Sequence, residues 1–130
     1  QLCPNHFHWN KMEDIINRGG GNLVIELDGS TQVEVFTGEP IEVSVDGIRR
    51  TVPPGGRVIL TPGESICLRQ RLYHRFYGEP GHGPVLIGEV SAVNDDNEDN
   101  RFHEPMGRFP EIEEDEPPLR LLVKDYPSFL

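Results

Sequence analysis

Ile41-Glu42-Val43-Ser44-Val45-Asp46-Gly47-Ile48-Arg49-Arg50-Thr51-Val52 is the most legible stretch of the chain. Ile41, Val43 and Val45 alternate with polar residues, which on a strand puts all three on one face. Asp46-Gly47 supplies a two-residue turn, and Ile48–Val52 returns beside the first strand. On either side the same grammar repeats. Strands are expected at 2–9, Asn22–Leu27, Val33–Phe36, Val58–Leu60, Ser65–Leu68, Tyr73–Phe76 and Val85–Val93. Pro53–Gly56, Pro62-Gly63 and Glu79–Pro84 punctuate them. Residues 10–21 read as a turn or one helical turn, followed by a bend at Gly19–Gly21. Leu119–Val123 reads as a last strand or a short helix. About nine short strands at this spacing predict an all-β sandwich or barrel.

Residues 94–118 break the pattern. Asn94–Asn100 and Glu111–Glu116 are polar and acidic, yet Phe102, Met106, Arg108, Phe109 and Ile112 lie among them. Long connections in compact domains are usually lids or disorder. The apolar anchors favour an ordered acidic flap.

The totals agree. A chain of 130 residues is expected to form one domain, and it can bury about two-thirds of its unfolded surface. Hydrophobic residues make up only 35%, whereas Gly (14) and Pro (12) are abundant, which suits short strands and tight turns. A net charge of −10 argues against nucleic acid and anionic membranes as partners, and makes a neutral substrate easier to hold than a phosphorylated one. Cys3 and Cys67 form no disulfide framework, so a reduced, cytoplasmic setting is expected. No apolar run approaches the ~18 residues of a membrane span.

Chemistry concentrates near the start. His6 and His8 are two residues apart, so on a strand both imidazoles share a face and can converge on one ion. Glu13 follows within reach, and Asp14 is an alternative carboxylate. His74 lies far along the chain, on a strand that must then pair beside the first. A His-x-His pair alone is weak; with Glu13 and Gly20 at these spacings, and His74 after a Gly-Pro-rich block, it predicts a divalent-metal site. On a regular strand Phe7 and Trp9 face away from that site. His82, in Pro80-Gly81-His82-Gly83-Pro84, reads as exposed, and Cys67 as buried packing.

His6-Phe7-His8, Glu13 and Gly20 match the first cupin motif from its first histidine onward. Gly56, six residues before Pro62, and His74 match the second motif loosely, with His74 arriving late. More specifically, His6-Phe7-His8-Trp9, Lys11 and Glu13-Asp14-Ile15-Ile16-Asn17-Arg18-Gly19-Gly20-Gly21 resemble the cupin-type D-lyxose isomerases. Val90-Ser91, Asn94-Asp95-Asp96, Asp99-Asn100-Arg101-Phe102, Arg108-Phe109-Pro110 and Glu113-Glu114-Asp115-Glu116 extend the resemblance over nearly the whole chain. Family members carry a substantial extension before the His-x-His strand, so residues 1–130 are read as a single cupin domain without it.

The resemblance implies a cupin (jelly-roll) barrel and an aldose–ketose isomerase of a free sugar: D-lyxose with D-xylulose, and D-mannose with D-fructose. It implies one divalent ion, with Mn2+ the first choice, on His6, His8, Glu13 and His74. Lys11 and either Glu113 or Glu114 would be catalytic, and Arg108, His103 and Phe109 would contact the sugar. A homodimer is expected. Alternatives are another cupin enzyme (a phosphosugar isomerase or an Fe(II) oxygenase) and a non-catalytic cupin that binds metal and sugar. Proton transfer through an enediol is the expected route, with a hydride shift as its rival.

Overall fold

The computed structural model describes residues 3–93, 95, 98–105, 115–117 and 119–120. Among them are ten strands and no helix: β1 (His6–His8), β2 (Glu13–Gly20), β3 (Leu23–Gly29), β4 (Ile41–Val45), β5 (Ile48–Val52), β6 (Gly56–Leu60), β7 (Ser65–Leu68), β8 (Leu72–Gly78), β9 (Val85–Ser91) and β10 (Asn100–Phe102). They form two five-stranded antiparallel sheets, ordered β10-β1-β8-β3-β6 and β5-β4-β7-β2-β9. The chain crosses repeatedly from one sheet to the other, which is the cupin jelly roll.

The core lies between the sheets. Leu23, Ile25 and Leu27 of β3 face Ile41, Val43 and Val45 of β4, Ile66 and Leu68 of β7, and Ile15 of β2. Each set recurs every second residue, so one face of each strand is apolar. The β4–β5 hairpin forms as expected, in the register Ile41↔Val52 to Val45↔Ile48. Asp46 and Gly47 both take positive φ (49° and 78°), which suits the right-handed twist of the flanking strands.

Two expectations are corrected. Residues 10–21 are not a turn: Glu13–Gly20 is strand β2, central to its sheet and paired with both β7 and β9. Its inward positions are Glu13, Ile15 and Asn17, and two polar residues among three erase the apolar alternation that marks a strand. Buried Asn17 is satisfied: its side-chain amide donates to the carbonyls of Gly21 and Leu60. Gly19 and Gly20 continue the pairing with β9 past a register shift rather than ending it. Val33–Phe36 is not a strand either. A single isolated bridge, Ser30↔Phe36, closes the turn that contains it, and Glu34 sits at φ 65°. Val33 is 77% exposed, so nothing rewards extending that segment.

The acidic segment after β9 contains a strand that was not expected. β10 pairs with β1 in the register His6↔Phe102, Phe7↔Arg101, His8↔Asn100. Leu119 and Arg120 lie in a bend. The rest of the Leu119–Val123 element, and Met106, Arg108, Phe109, Ile112, Glu113 and Glu114 of the flap, lie outside the described residues.

Candidate metal centre

β1 carries His6 and His8 on one face, and its antiparallel neighbour β8 sets His74 directly across from His6. Glu13 reaches the same point from β2, in the opposite sheet. The imidazole centroids of His6 and His74 are 4.3 Å apart, and those of His6 and His8 are 5.0 Å apart. All four side chains are buried, and one donor atom from each lies within 4.8 Å of the others. Donors on opposite sides of an ion bound at about 2.1 Å stand about 4.2 Å apart, so only a small contraction is needed to close round one. The structure thus brings together the four residues singled out as ligands.

Backbone carbonyls orient two of the rings. Nδ1 of His6 is 2.8 Å from the Pro4 carbonyl oxygen, and Nδ1 of His74 is 2.9 Å from that of Leu72. A carbonyl only accepts, so both Nδ1 atoms carry the proton and both Nε2 lone pairs are left as donors. Among the described residues, both ring nitrogens of His8 are buried without a hydrogen-bond partner, and the His74 Nε2 lone pair faces Glu13 Oε1 at 2.9 Å with no proton between them. Such atoms are costly unless something fills the space between them. Burial, reinforced by the neighbouring His74, pushes the His6 imidazole down to about 3, against the smaller opposing pull of the Pro4 carbonyl. A ring that stays neutral keeps its lone pair for a cation. Burial alone would raise the Glu13 carboxyl, and the Lys11 ammonium 2.8 Å from its Oε2 works the other way, favouring the carboxylate. Neutral nitrogens plus one carboxylate are a donor set fit for a divalent ion.

Lys11 stands beside the group. Its Nζ is 2.8 Å from Glu13 Oε2 and 2.7 Å from Glu89 Oε1. Burial would lower the lysine, yet these two carboxylates raise it, so it is held as an ammonium. Asp99 secures the chain here: its carboxylate accepts from the backbone N–H of Asn10 (2.7 Å) and of Lys11 (3.1 Å), and stands 3.8 Å from His8 Nδ1. A cavity of about 270 Å³ opens on the group, with Cys3, Phe76, Glu89, Asn100 and Phe102 in its walls.

Asp99 and Glu89 were not singled out from the sequence. Asp99 touches Lys11 from 88 positions away. Glu89 sits in the expected strand Val85–Val93, where nothing in the local pattern marks it as a site residue. The other candidates fall as follows. Asp14 points to the opposite face of β2, beside Cys67. Phe7 and Trp9 face away from the group and pack edge to face, with Arg71 over the Trp9 ring. His103 stacks on Phe36 at 4.2 Å and lines a neighbouring cavity with Asn5, Glu26 and Arg75, not the one over the metal-ligand candidates. His82 is exposed and lies beside Glu79. Arg108, Phe109, Glu113 and Glu114 lie outside the described residues.

A jelly roll that gathers three imidazoles and a carboxylate from both sheets beside an open cavity is a cupin whose donor group could hold a metal ion. Comparison with known proteins narrows the class. The D-lyxose isomerase family model matches residues 1–126, and the chain belongs to that family. It is 53% identical over 130 residues to a D-lyxose/D-mannose isomerase of Serratia proteamaculans, and 50% identical over 129 residues to one of Escherichia coli O157:H7. Those matches cover 100% and 99% of this chain but 57% of each relative, so the chain spans a little over half their length.

Proposed function

We propose that the protein is a metal-dependent aldose–ketose isomerase of free sugars, interconverting D-lyxose with D-xylulose and D-mannose with D-fructose. The observation that carries this reading is the buried His6, His8, Glu13 and His74 group with Lys11 at its side, opening on a cavity of sugar-like size. The two relatives described as D-lyxose/D-mannose isomerases support the choice of sugars.

His6, His8, Glu13 and His74 would hold one divalent ion, with Mn2+ the first choice, although affinity alone does not select it. Such an ion supplies Lewis-acid polarisation of a carbonyl oxygen. The proton work falls to side chains. Glu113 or Glu114 takes the proton from C2, and the C2–H electron pair forms the C1–C2 double bond. The former carbonyl oxygen at C1 gains a proton, aided by the Lys11 ammonium. The C2 hydroxyl then passes its proton to Lys11, restoring the ammonium that protonated the C1 oxygen, the carbonyl forms at C2, and the carboxyl returns its proton to C1. General acid–base groups of this kind typically contribute about 100- to 10,000-fold. Arg108 and Phe109 are sugar contacts in this reading, with His103, on the neighbouring cavity, the weaker third. A cytoplasmic homodimer with no nucleic-acid or membrane partner completes it.

The test is to load the metal-free protein with Mn2+ and assay free pentoses, free hexoses and their phosphates. Turnover of D-lyxose and D-mannose is expected. Turnover of sugar phosphates alone, or oxygen consumption with iron, would replace the reading. Replacing Glu113 and Glu114 by Gln, singly and together, should lower kcat by at least about 100-fold without loss of metal. Complete transfer of C2 deuterium to C1, with no solvent exchange, would establish a hydride shift instead.

A further inference from the structure

Glu89 is the one carboxylate among the described residues lining the cavity that is not in the four-donor group. It belongs to β9, which pairs with β2 in the register Glu13↔Ser91 and Ile15↔Glu89. Directly paired residues project to the same face of a sheet. Ile15 is in the core, so Glu89 points inward too. Glu89 is nevertheless 45% exposed, because its end stands in the cavity.

The ion pair with Lys11 shapes what Glu89 can do. Oε1 is committed to Nζ at 2.7 Å. An ionised carboxylate is acceptor-only, with several lone-pair sites on its two oxygens. One committed to an ammonium is better suited to accepting hydroxyl hydrogen bonds than to taking a proton from carbon. Phe76 and Phe102 line the same cavity and offer apolar surface to the C–H face of a sugar. Lys11 spans Glu13 and Glu89, so a hydroxyl held by Glu89 would sit one ammonium away from the donor group rather than on it.

We propose that Glu89 is a sugar-contact residue, which accepts hydroxyl hydrogen bonds from a neutral polyol whose reacting end lies at the His6, His8, Glu13 and His74 group. This deepens the isomerase reading and rests on it. The metal-loaded protein and its Glu89→Gln and Glu89→Ala variants are assayed with D-lyxose and D-mannose, with metal content measured in parallel. Losing a charged hydrogen-bond partner should raise KM about 10-fold or more, while kcat stays within about threefold, as for uniform binding. A fall in kcat at unchanged KM would assign Glu89 only to holding Lys11 and overturn the proposal. Saturation-transfer NMR with the corresponding alditols, which cannot react, reads binding without turnover. Binding by the wild type that is weakened in Glu89→Gln supports the proposal even if no free sugar is turned over, in which case the isomerase reading alone falls. Equal alditol binding by wild type and variant overturns the proposal alone. Absence of polyol binding by the wild type overturns both.

Discussion

The proton on Nδ1 of His6 and of His74 is fixed by the Pro4 and Leu72 carbonyls, so these rings face the four-residue group as lone-pair donors. Asp99 performs a comparable service for the backbone. Its two oxygens separately hold the N–H groups of Asn10 and Lys11, and it is only 3% exposed. Removing it leaves two N–H groups without their carboxylate. Hydrogen bonds to charged groups contribute about 1.5–3 kcal/mol each. Asp99→Ala is therefore expected to destabilise the protein by about 3 kcal/mol or more, measured by urea unfolding, and Asp99→Asn by less, since one acceptor oxygen survives. A change below about 0.5 kcal/mol for the alanine variant, the range of an ordinary surface site, would mean that the loop is held by other contacts. At this scale the sequence was readable where geometry is local. His6 and His8 follow from the two-residue period of a strand, and Glu13 from its spacing. Asp99 and Glu89 depend on pairings of β10 with β1 and of β9 with β2, which no local pattern announces.

Elements were legible in proportion to their apolar alternation. The β4–β5 hairpin carries a clean pattern and an Asp-Gly turn, and it was read in full. β2 was missed because function and turn support occupy its inward positions with Glu13 and Asn17. The glycines at its end looked like a break, but Gly20 serves close approach. Gly20 has φ 91°, and a Cβ there would lie 2.2 Å from the Pro84 carbonyl oxygen. Gly47 has φ 78° with open space around it. Both alanine variants bear left-handed strain of about 1–2 kcal/mol, but Gly20→Ala adds a backbone collision and should be the more destabilising by at least about 1 kcal/mol. Equal thermal shifts for the two would show that β2 and the 82–85 segment move apart freely. On β3, Glu26 meets Arg57, Arg75 and Tyr77. Burial would raise its carboxyl, but the Tyr77 and Arg75 hydrogen bonds and the arginine charges hold it below its ordinary value of 4.5. A carboxylate depressed in the folded state stabilises above the unfolded pKa, and that contribution fades as pH falls through the folded one. Wild type should therefore exceed Glu26→Gln in stability by about 1 kcal/mol at pH 6–7, with both arginines partly in solvent. The gap should close as pH is lowered below about 4.5, the ordinary value of the carboxyl. A gap that is constant with pH would assign the effect to packing rather than charge.

At the scale of the molecule, the two sheets meet at the donor group. His6, His8 and His74 come from β1 and β8 of one sheet, and Glu13 from β2 of the other. An ion there would tie the sheets together at the end where the cavity opens. The unfolded chain presents no such site, so binding to the folded state alone adds stability by mass action, about 2.7 kcal/mol at 100 times the dissociation constant. For a domain of this size each kcal/mol moves Tm by roughly 3–6 °C. Chelation of metal-loaded protein should therefore lower Tm by about 8–16 °C, and restoring Mn2+ should reverse the shift. Glu13→Gln and His74→Ala should lose bound metal by elemental analysis, and their Tm should no longer respond to chelator. Glu26→Gln, which alters the same barrel away from the group, should respond as wild type does. A wild-type Tm indifferent to both chelator and Mn2+, with full metal occupancy in the His74→Ala variant, would exclude His6, His8, Glu13 and His74 as the site.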